Sequence, residues 1–395
     1  MEYYSMGEFA NRIDRNTRSL YMIISRKIRL LPTKEQEAKM WQSVGTARYI
    51  YNWTLAKQEE NYKNGGKFLS DNILRKEITK LKKFELIWLK EVSNNIAKQA
   101  VKDACNAYKK FFKKLSDKPK FKSRKRSRPG FYNDPIKLKV KNKIILLEKI
   151  GWIKTSEQLP ICKYYNPRIT HDNKYWYLSV GIEIEFKQEK LTDVSLGIDL
   201  GLKNLAICSN GKVFKNINKS KQIKQLEKRL KRKQRQISKK YEKNKIRKGG
   251  SCQFIKTKNI EKLERTTKLL HRKLTNIRNN YLHQVTTNIV KTKPYRIVIE
   301  DLNVSGMMKN KHLANSVRKR CFYKFRGFLS YKAKLRGIEL VVADRFYPSS
   351  KICHKCGFIK KDLRLKDRIY RCSHCGEIID RDLNAAINLS MYKLA

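Results

Sequence analysis

The sequence is short of acid. Its 395 residues hold 35 Asp and Glu against 92 Lys and Arg, a formal net charge of +57. A chain with that imbalance repels itself unless a polyanion neutralises it. Also missing is any apolar run approaching the roughly 18 residues of a membrane-spanning helix. A long nucleic-acid track is the partner that suits the surplus charge. The opening Met1-Glu2-Tyr3-Tyr4 lacks the form of a secretory signal, which points to the cytosol. In that reducing compartment nine cysteines do not read as a disulfide framework. Four of them form two tight pairs, the pattern of a metal site. A chain of this length is expected to hold two to four domains.

What is present centres on Leu196-Gly197-Ile198-Asp199-Leu200-Gly201-Leu202, an apolar strand with one carboxylate in its middle. An Asp on a buried strand is costly unless it is paired or binds a metal. The flanking glycines leave room for a backbone or ligand to come close. Leu205–Cys208 followed by Ser209-Asn210-Gly211-Lys212 reads as a second strand and a hairpin turn. Standing alone, Asp199 would fit equally well as a strand-end residue capping a turn. Two further carboxylates sit in settings just as pointed.

Residues 1–19 fit poorly with the rest and read as a disordered or loosely docked leader. Tyr3–Ile13 resembles the opening of the helix-turn-helix of serine transposases, over too few residues to build that domain. From Leu20 an apolar strand runs to Pro32, and Thr33 with Gln36 forms a capping box that starts a helix. Met40, Val44, Ala47, Ile50 and Tyr51 make its core-facing stripe. A second helix is predicted from about Ser93 to Leu115, apolar on one face and lysine-rich on the other. The stretch 118–130 is basic and proline-flanked, either a solvated tether or a nucleic-acid contact through Lys120, Lys122, Arg124, Lys125 and Arg126. From Ile136 the apolar period changes to two, and Lys174–Phe186 pairs as a hairpin with Arg168–Thr170. This predicts a small β-barrel (20–32 and 117–191) with a helical module (33–116) inserted.

The remaining residues, 192–395, read as an α/β catalytic half. A long basic helix is predicted over about Lys219–Lys248, broken by Gly249-Gly250-Ser251, with a partner helix over about Ile260–Val290. The two fit an antiparallel hairpin, or alternatively a dimerisation arm. Arg296–Glu300 is a buried strand that ends in an acid. Asp380-Arg381-Asp382 opens a helix, where one Asp has the ordinary role of an N-cap. Two strand carboxylates and a helix carboxylate can converge on a pair of divalent ions about 3.5–4 Å apart, suited to phosphodiester cleavage. An all-oxygen shell favours magnesium, with manganese as substitute. Cys353-x2-Cys356 and Cys372-x2-Cys375 have the spacing of a structural zinc ribbon over 350–378, holding one zinc that does no chemistry. His354 and His374, inside the knuckles, read as exposed residues and not ligands.

Together GIDLG at 197–201, IEDLN at 299–303 and DRDLNAAIN at 380–388, with the cysteine pairs between, resemble TnpB. So do Tyr347–Lys351 and Gly151-Trp152-Ile153-Lys154. TnpB proteins are transposon-encoded RNA-guided nucleases related to the small type V CRISPR effectors. The resemblance runs from about Leu20 to the end. It implies a multidomain α+β chain: an N-terminal β-barrel wedge with an inserted helical recognition module, then an RNase H-like RuvC domain carrying a helical hairpin and a zinc ribbon. It also implies that Asp199, Glu300 and Asp382 are the catalytic, magnesium-binding acids. Asp382 is preferred to Asp380 because the family's acid precedes x-Asn-Ala-Ala. The implied partners are a guide RNA made from the transposon end, at one protein per guide, and target double-stranded DNA bearing a short adjacent motif. The implied setting is the prokaryotic cytosol or nucleoid, in the maintenance of a transposable element. Two rival readings are a nuclease-inactive RNA-guided repressor, which has no need of three acids, and a transposase that joins ends without a guide.

Overall fold

The computed structural model describes residues 12–13, 20–185, 189–248, 251–364 and 366–393. The chain divides into two compact units at Glu185.

In the first unit, β1 (Arg12–Ile13) pairs antiparallel with β2 (Leu20–Leu31). The rest of the leader lies outside the described residues. Thr33 ends β2's extension with the reciprocal bonds of a capping box: its hydroxyl accepts from the Gln36 amide, and its amide donates to Gln36 Oε1. Helix α1 (Lys34–Lys63) follows and buries Met40, Val44, Ile50 and Tyr51. Helix α2 (Asp71–Phe84), capped by Ser70, escaped the sequence reading because it buries only Leu74 and Ile78. Helix α3 (Asn94–Phe112), capped by Ser93, buries Ile96, Ala97, Ala100, Val101, Ala104 and Tyr108.

Strands β3 (Gly130–Tyr132), β4 (Lys139–Lys141), β5 (Ile144–Leu147), β6 (Gly151–Thr155), β7 (Tyr164–His171) and β8 (Trp176–Glu185) complete the unit. They form a curled sheet in the order β3-β7-β8-β2-β6-β5-β4. Strand β2 pairs with β8 along Tyr21–Leu30 and with β6 at Leu30 and Leu31, so one strand ties both wings together. Leu30, Leu147, Ile153 and Leu178 fill the concave side, where Met40 and Val44 of α1 join them. The alternation predicted from Ile136 starts late, at Lys139. The Asp134 carboxylate accepts the Ile136 amide at 2.9 Å, a local turn that leaves Ile136 exposed.

The second unit is built on β9 (Thr192–Leu200), β10 (Asn204–Cys208) and β11 (Val213–Lys215), which run antiparallel through the Ser209–Lys212 turn. Gly211 supplies that turn's positive φ of +79°. Helix α4 (Lys221–Lys243), hairpin strands β12 (Lys245–Lys248) and β13 (Ser251–Phe254), and helix α5 (Lys258–Val290) form an insertion before β14 (Pro294–Glu300). Helices α6 (Val304–Lys309), α7 (Lys311–Arg320) and α8 (Phe322–Lys334) lead to β15 (Glu339–Ala343). The small strands β16 (Ile369–Arg371) and β17 (Ile378–Asp380) precede helix α9 (Arg381–Ser390). The sheet order is β11-β10-β9-β14-β15, with β9, β14 and β15 mutually parallel.

Helices α4 and α5 pack through Ile223, Leu230, Leu270 and Leu274. Arg278 of α5 reinforces them with a 2.6 Å ion pair to Glu227. Helix α4 stops at Lys243, five residues short of the predicted Lys248, and Lys245–Lys248 pairs with Ser251–Phe254 instead. Like charges one turn apart at Lys239 and Lys243 weaken helix extension, and Asn244 caps the end. Gly249 and Gly250 lie outside the described residues. Among the described residues no helix is long and apolar enough to cross a membrane.

Candidate nuclease centre and cysteine cluster

Register places the first two acids side by side. Ile198 of β9 pairs with Ile299 of β14 in parallel. Asp199 and Glu300 are therefore neighbours on adjoining strands, and side chains at matching positions share one face. The same face carries Gly197, two residues before Asp199, and Val298, two before Glu300. Helix α9 covers it: Leu389 packs with Val298, Val341 and Ala343. At Gly197 the helix comes very close. A Cβ there would lie 1.9 Å from the Ala386 carbonyl oxygen and 2.4 Å from the Ser390 nitrogen. With the body of α9 over Gly197, its first turn brings Asp382 towards Asp199.

Electrostatics register the convergence. Asp199 is held well above the usual carboxylate range, first by burial, then by the charge of Glu300 and a hydrogen bond with it, then by the charge of Asp382. Arg381 opposes this only weakly. Its guanidinium is engaged with the Arg364 carbonyl at 2.7 Å and the Ser350 hydroxyl at 3.3 Å. A buried Asp199 pressed by two further carboxylates suits a site completed by a divalent cation, although Asp382 also has the Arg368 guanidinium 4.0 Å away. Asp380 has another job. Its Oδ1 accepts the Asp382 and Leu383 amides at 3.0 and 3.1 Å, an N-cap that leaves Asp382 as the helix acid facing the site.

Among the described residues, the four cysteines are the group whose ligand atoms all lie within 4.8 Å of one another. The amides of Cys375 and His374 hold the Cys372 thiol down at about 6. At Cys356 the Phe358 amide acts the same way, but burial and the other three sulfurs prevail and push it up to about 12. Four sulfurs so placed cannot all be thiolates without a cation, and a four-cysteine cluster is a closed structural zinc set. Cys353, Leu363, Tyr370 and Cys372 form a small core around the cluster. His374 is exposed and stacks on Phe358. His354 differs from the sequence reading. It is half-buried, and both its amide and its Nδ1 lie 3.1 Å from Asn384 Oδ1.

That contact belongs to a set the sequence reading missed. Asn384 Nδ2 donates to the Ile352 carbonyl at 2.7 Å. Asn388 Nδ2 donates to the carbonyls of Ser349 and Ile352, each at 2.7 Å. Both asparagines are buried. They bolt the segment entering the cysteine cluster onto the helix that carries Asp382. Their spacing of four residues in DRDLNAAIN, on one helical face, was the available signal. Ser349 also donates to Glu300 Oε1 at 3.4 Å.

In the first unit, Lys120, Lys122, Arg124, Lys125 and Arg126 are all exposed. Their segment is docked at one point: Asn52 of α1 receives the Lys122 amide at 2.7 Å and donates to the Lys122 carbonyl at 2.9 Å. The Lys122 ammonium lies 3.6 Å from the Tyr51 ring centroid.

Comparison with known proteins extends over most of the chain. Family models described as "Helix-turn-helix domain", "Probable transposase" and "Cas12f1-like, TNB domain" match residues 22–67, 177–311 and 322–389. The first of these falls on β2 and α1, not on the leader. A protein of Escherichia coli (strain K12) named "Putative RNA-guided DNA endonuclease InsQ" is 31% identical over 92% of this chain and 90% of its own. One of Streptomyces pristinaespiralis, with the same name lacking the suffix, is 31% identical over 93% and 89%. The fold is shared with the protein in a solved Cas12f1–sgRNA–target DNA complex: TM-score 0.56 at 16% identity, covering 90% of this chain and 82% of that one. With relatives this similar over nearly their full length, the chain belongs to the TnpB family.

Proposed function

We infer that this chain is an RNA-guided DNA endonuclease of a transposable element, cutting phosphodiester bonds at the site formed by Asp199, Glu300 and Asp382. The observation that carries the reading is the convergence of two neighbouring strand acids and one helix acid, reflected in the raised pKa of Asp199. A nuclease-inactive binding protein has no use for such a costly cluster.

The three carboxylates would hold magnesium, or manganese in its place, and the cysteines one structural zinc. Bound divalent ions supply water activation and stabilisation of the leaving oxygen. The protein's part is to fix the acids. The β9–β14 register sets Asp199 against Glu300, Ser349 holds one Glu300 oxygen, and Asp380 caps α9 so that Asp382 is not spent on the cap. Sequence choice would belong to a guide RNA derived from the transposon end, one per protein, pairing with double-stranded DNA beside a short motif. The exposed cations of 120–126 and of α4 would hold phosphates and set position, not sequence. We assign the wedge to 20–32 and 117–191, the recognition helices to 33–116 and the RuvC-like domain to 192–395.

The test is to purify the protein with its co-expressed RNA and supply matched and mismatched duplexes with magnesium. Cleavage of the matched duplex only, abolished by ribonuclease pretreatment, is expected. Guide-independent cutting, or joining of element ends, would replace this reading with that of an autonomous transposase.

A further inference from the structure

The segment between β15 and the cysteine cluster starts and finishes at the same acid. Ala343, the last residue of β15, pairs directly with Glu300. Six residues later the Ser349 hydroxyl returns to Glu300 Oε1. Phe346 stands at the apex, three residues from each anchor, so no more than about 11 Å of chain separates it from either.

This loop is tied down at several points while its apex is exposed. Asp344 Oδ1 accepts the Phe346 amide at 3.1 Å, and the Asp344 carbonyl accepts the Tyr347 amide at 3.1 Å. The Tyr347 hydroxyl donates to the Asn388 carbonyl of α9 at 3.3 Å. Arg345 is pinned too, its Nε donating to Asp301 Oδ2 at 3.0 Å, with Arg326 on the other oxygen at 3.4 Å. Between these anchored neighbours the Phe346 side chain is 87% exposed, the most exposed large hydrophobic residue among those described. Exposing a whole phenyl ring on an immobile turn gains nothing for folding. It does suit a partner with a flat π face, and an unpaired nucleobase is the one such group that must reach the acids.

We propose that Phe346 is a positioning residue: its ring stacks on an unpaired base of the DNA strand and fixes which phosphate lies over Asp199 and Glu300. The inference rests on the nuclease reading above, and it extends that reading to how the strand is placed. Stacking is tolerant of base identity because every base has a π face. The contact therefore sets the cut position along the strand, while the guide sets the target.

The experiment uses the RNA-loaded full chain in an Asp199→Asn background and a matched duplex with 2-aminopurine placed singly along the displaced strand. Quenching at one or two adjacent positions is expected. Phe346→Ala should abolish it, Phe346→Trp should keep it, and Phe346→Leu, apolar but not aromatic, should behave as Ala. In the active protein, Phe346→Ala should lower the rate of cutting at saturating target by roughly 5- to 150-fold, the range for one stacked base. It should also spread the cut over neighbouring phosphates, while the choice of target stays with the guide. Quenching that survives Phe346→Ala, or Leu matching Trp, would overturn the inference and return Phe346 to apolar packing. The quench is read without any cutting, so it stands or falls separately from the nuclease reading, which wild-type cleavage tests.

Discussion

Gly197 and Ala386 are in contact through a space that no side chain can share. A Cβ on Gly197 would meet the Ala386 carbonyl oxygen at 1.9 Å, with the Ser390 nitrogen and the Leu389 carbonyl carbon at 2.4 and 3.0 Å. All three are backbone atoms of α9 and have no rotamer to yield.

Replacing Gly197 with Ala should therefore push α9 off the sheet and carry Asp382 with it. Overpacking of this kind costs about 1–3 kcal/mol, so the protein should remain folded with a lowered melting temperature. Cleavage should fall much further than stability, because a small displacement of one acid is enough to ruin the site. Wild-type cleavage by Gly197→Ala would mean that the distance between α9 and β9 does not govern the acids.

Alanine at Asp199, Glu300 or Asp382 should each abolish cleavage and leave guided DNA binding nearly intact. The acids act as a unit, so the double variants should lose no more than the single ones. Asp380→Ala should instead weaken the α9 cap, at a cost of about 0.5–2 kcal/mol, with activity reduced in proportion. Band-shift and cleavage assays on the same preparations separate the two classes. A dead Asp380→Ala beside an active Asp382→Ala would reverse their roles.

The raised pKa of Asp199 carries a pH signature in metal-free protein. Its folded pKa lies above its unfolded one, so the native state keeps a proton that the unfolded chain has released. Stability from this group is thus present at acid pH and is lost as pH rises through the folded pKa. Asp199→Asn should melt higher than wild type at neutral pH, with the gap closing towards acid. Magnesium should raise the wild-type melting temperature more than that of Asp199→Asn. Equal melting curves at all pH values would show that burial and the neighbouring acids do not hold the proton on Asp199.

Removal of zinc should be felt at the acids. The Cys353 knuckle begins where Asn384 and Asn388 grip Ile352 and Ser349. Cys372→Ser or a strong chelator should release one zinc per chain and open 350–378 to protease. It should also slow cleavage through the loss of Ser349 from Glu300. Asn388→Ala should slow cleavage similarly while zinc stays bound, which elemental analysis would establish. Full activity in zinc-free protein would uncouple the ribbon from the site.

Neutralising Lys120, Lys122, Arg124, Lys125 and Arg126 together should reduce co-purified RNA and lower cleavage at every target alike. Phosphate contacts position and do not specify, so target choice should not change. Unchanged RNA occupancy and cleavage would leave this stretch a solvated tether docked at Asn52.

The positions of the strand acids and the cysteine cluster were legible in the sequence because they leave local marks: a charge inside an apolar strand, or paired cysteines at fixed spacing. Strand β2 was legible as well, since Thr33 and Gln36 announce its end. What escaped was set by partners distant in the chain. Asn384 and Asn388 look like ordinary helix residues until Ile352 and Ser349 are placed beside them. Helix α2 buries too few residues to print a period. The predicted continuation of α4 failed because its last residues found a pairing partner at Ser251–Phe254, which helix propensity does not see.

The acids come from β9, β14 and α9, and α9 is the last of these to be made. Domains tend to fold in order as a chain emerges during synthesis. The first unit can thus be folded while the sheet of the second still lacks its covering helix. A growing chain, or one ended early by a stop codon before residue 380, would carry two of the three proposed acids and lack the third. Placing the third proposed acid on α9 means that only chains translated past this helix hold the complete site.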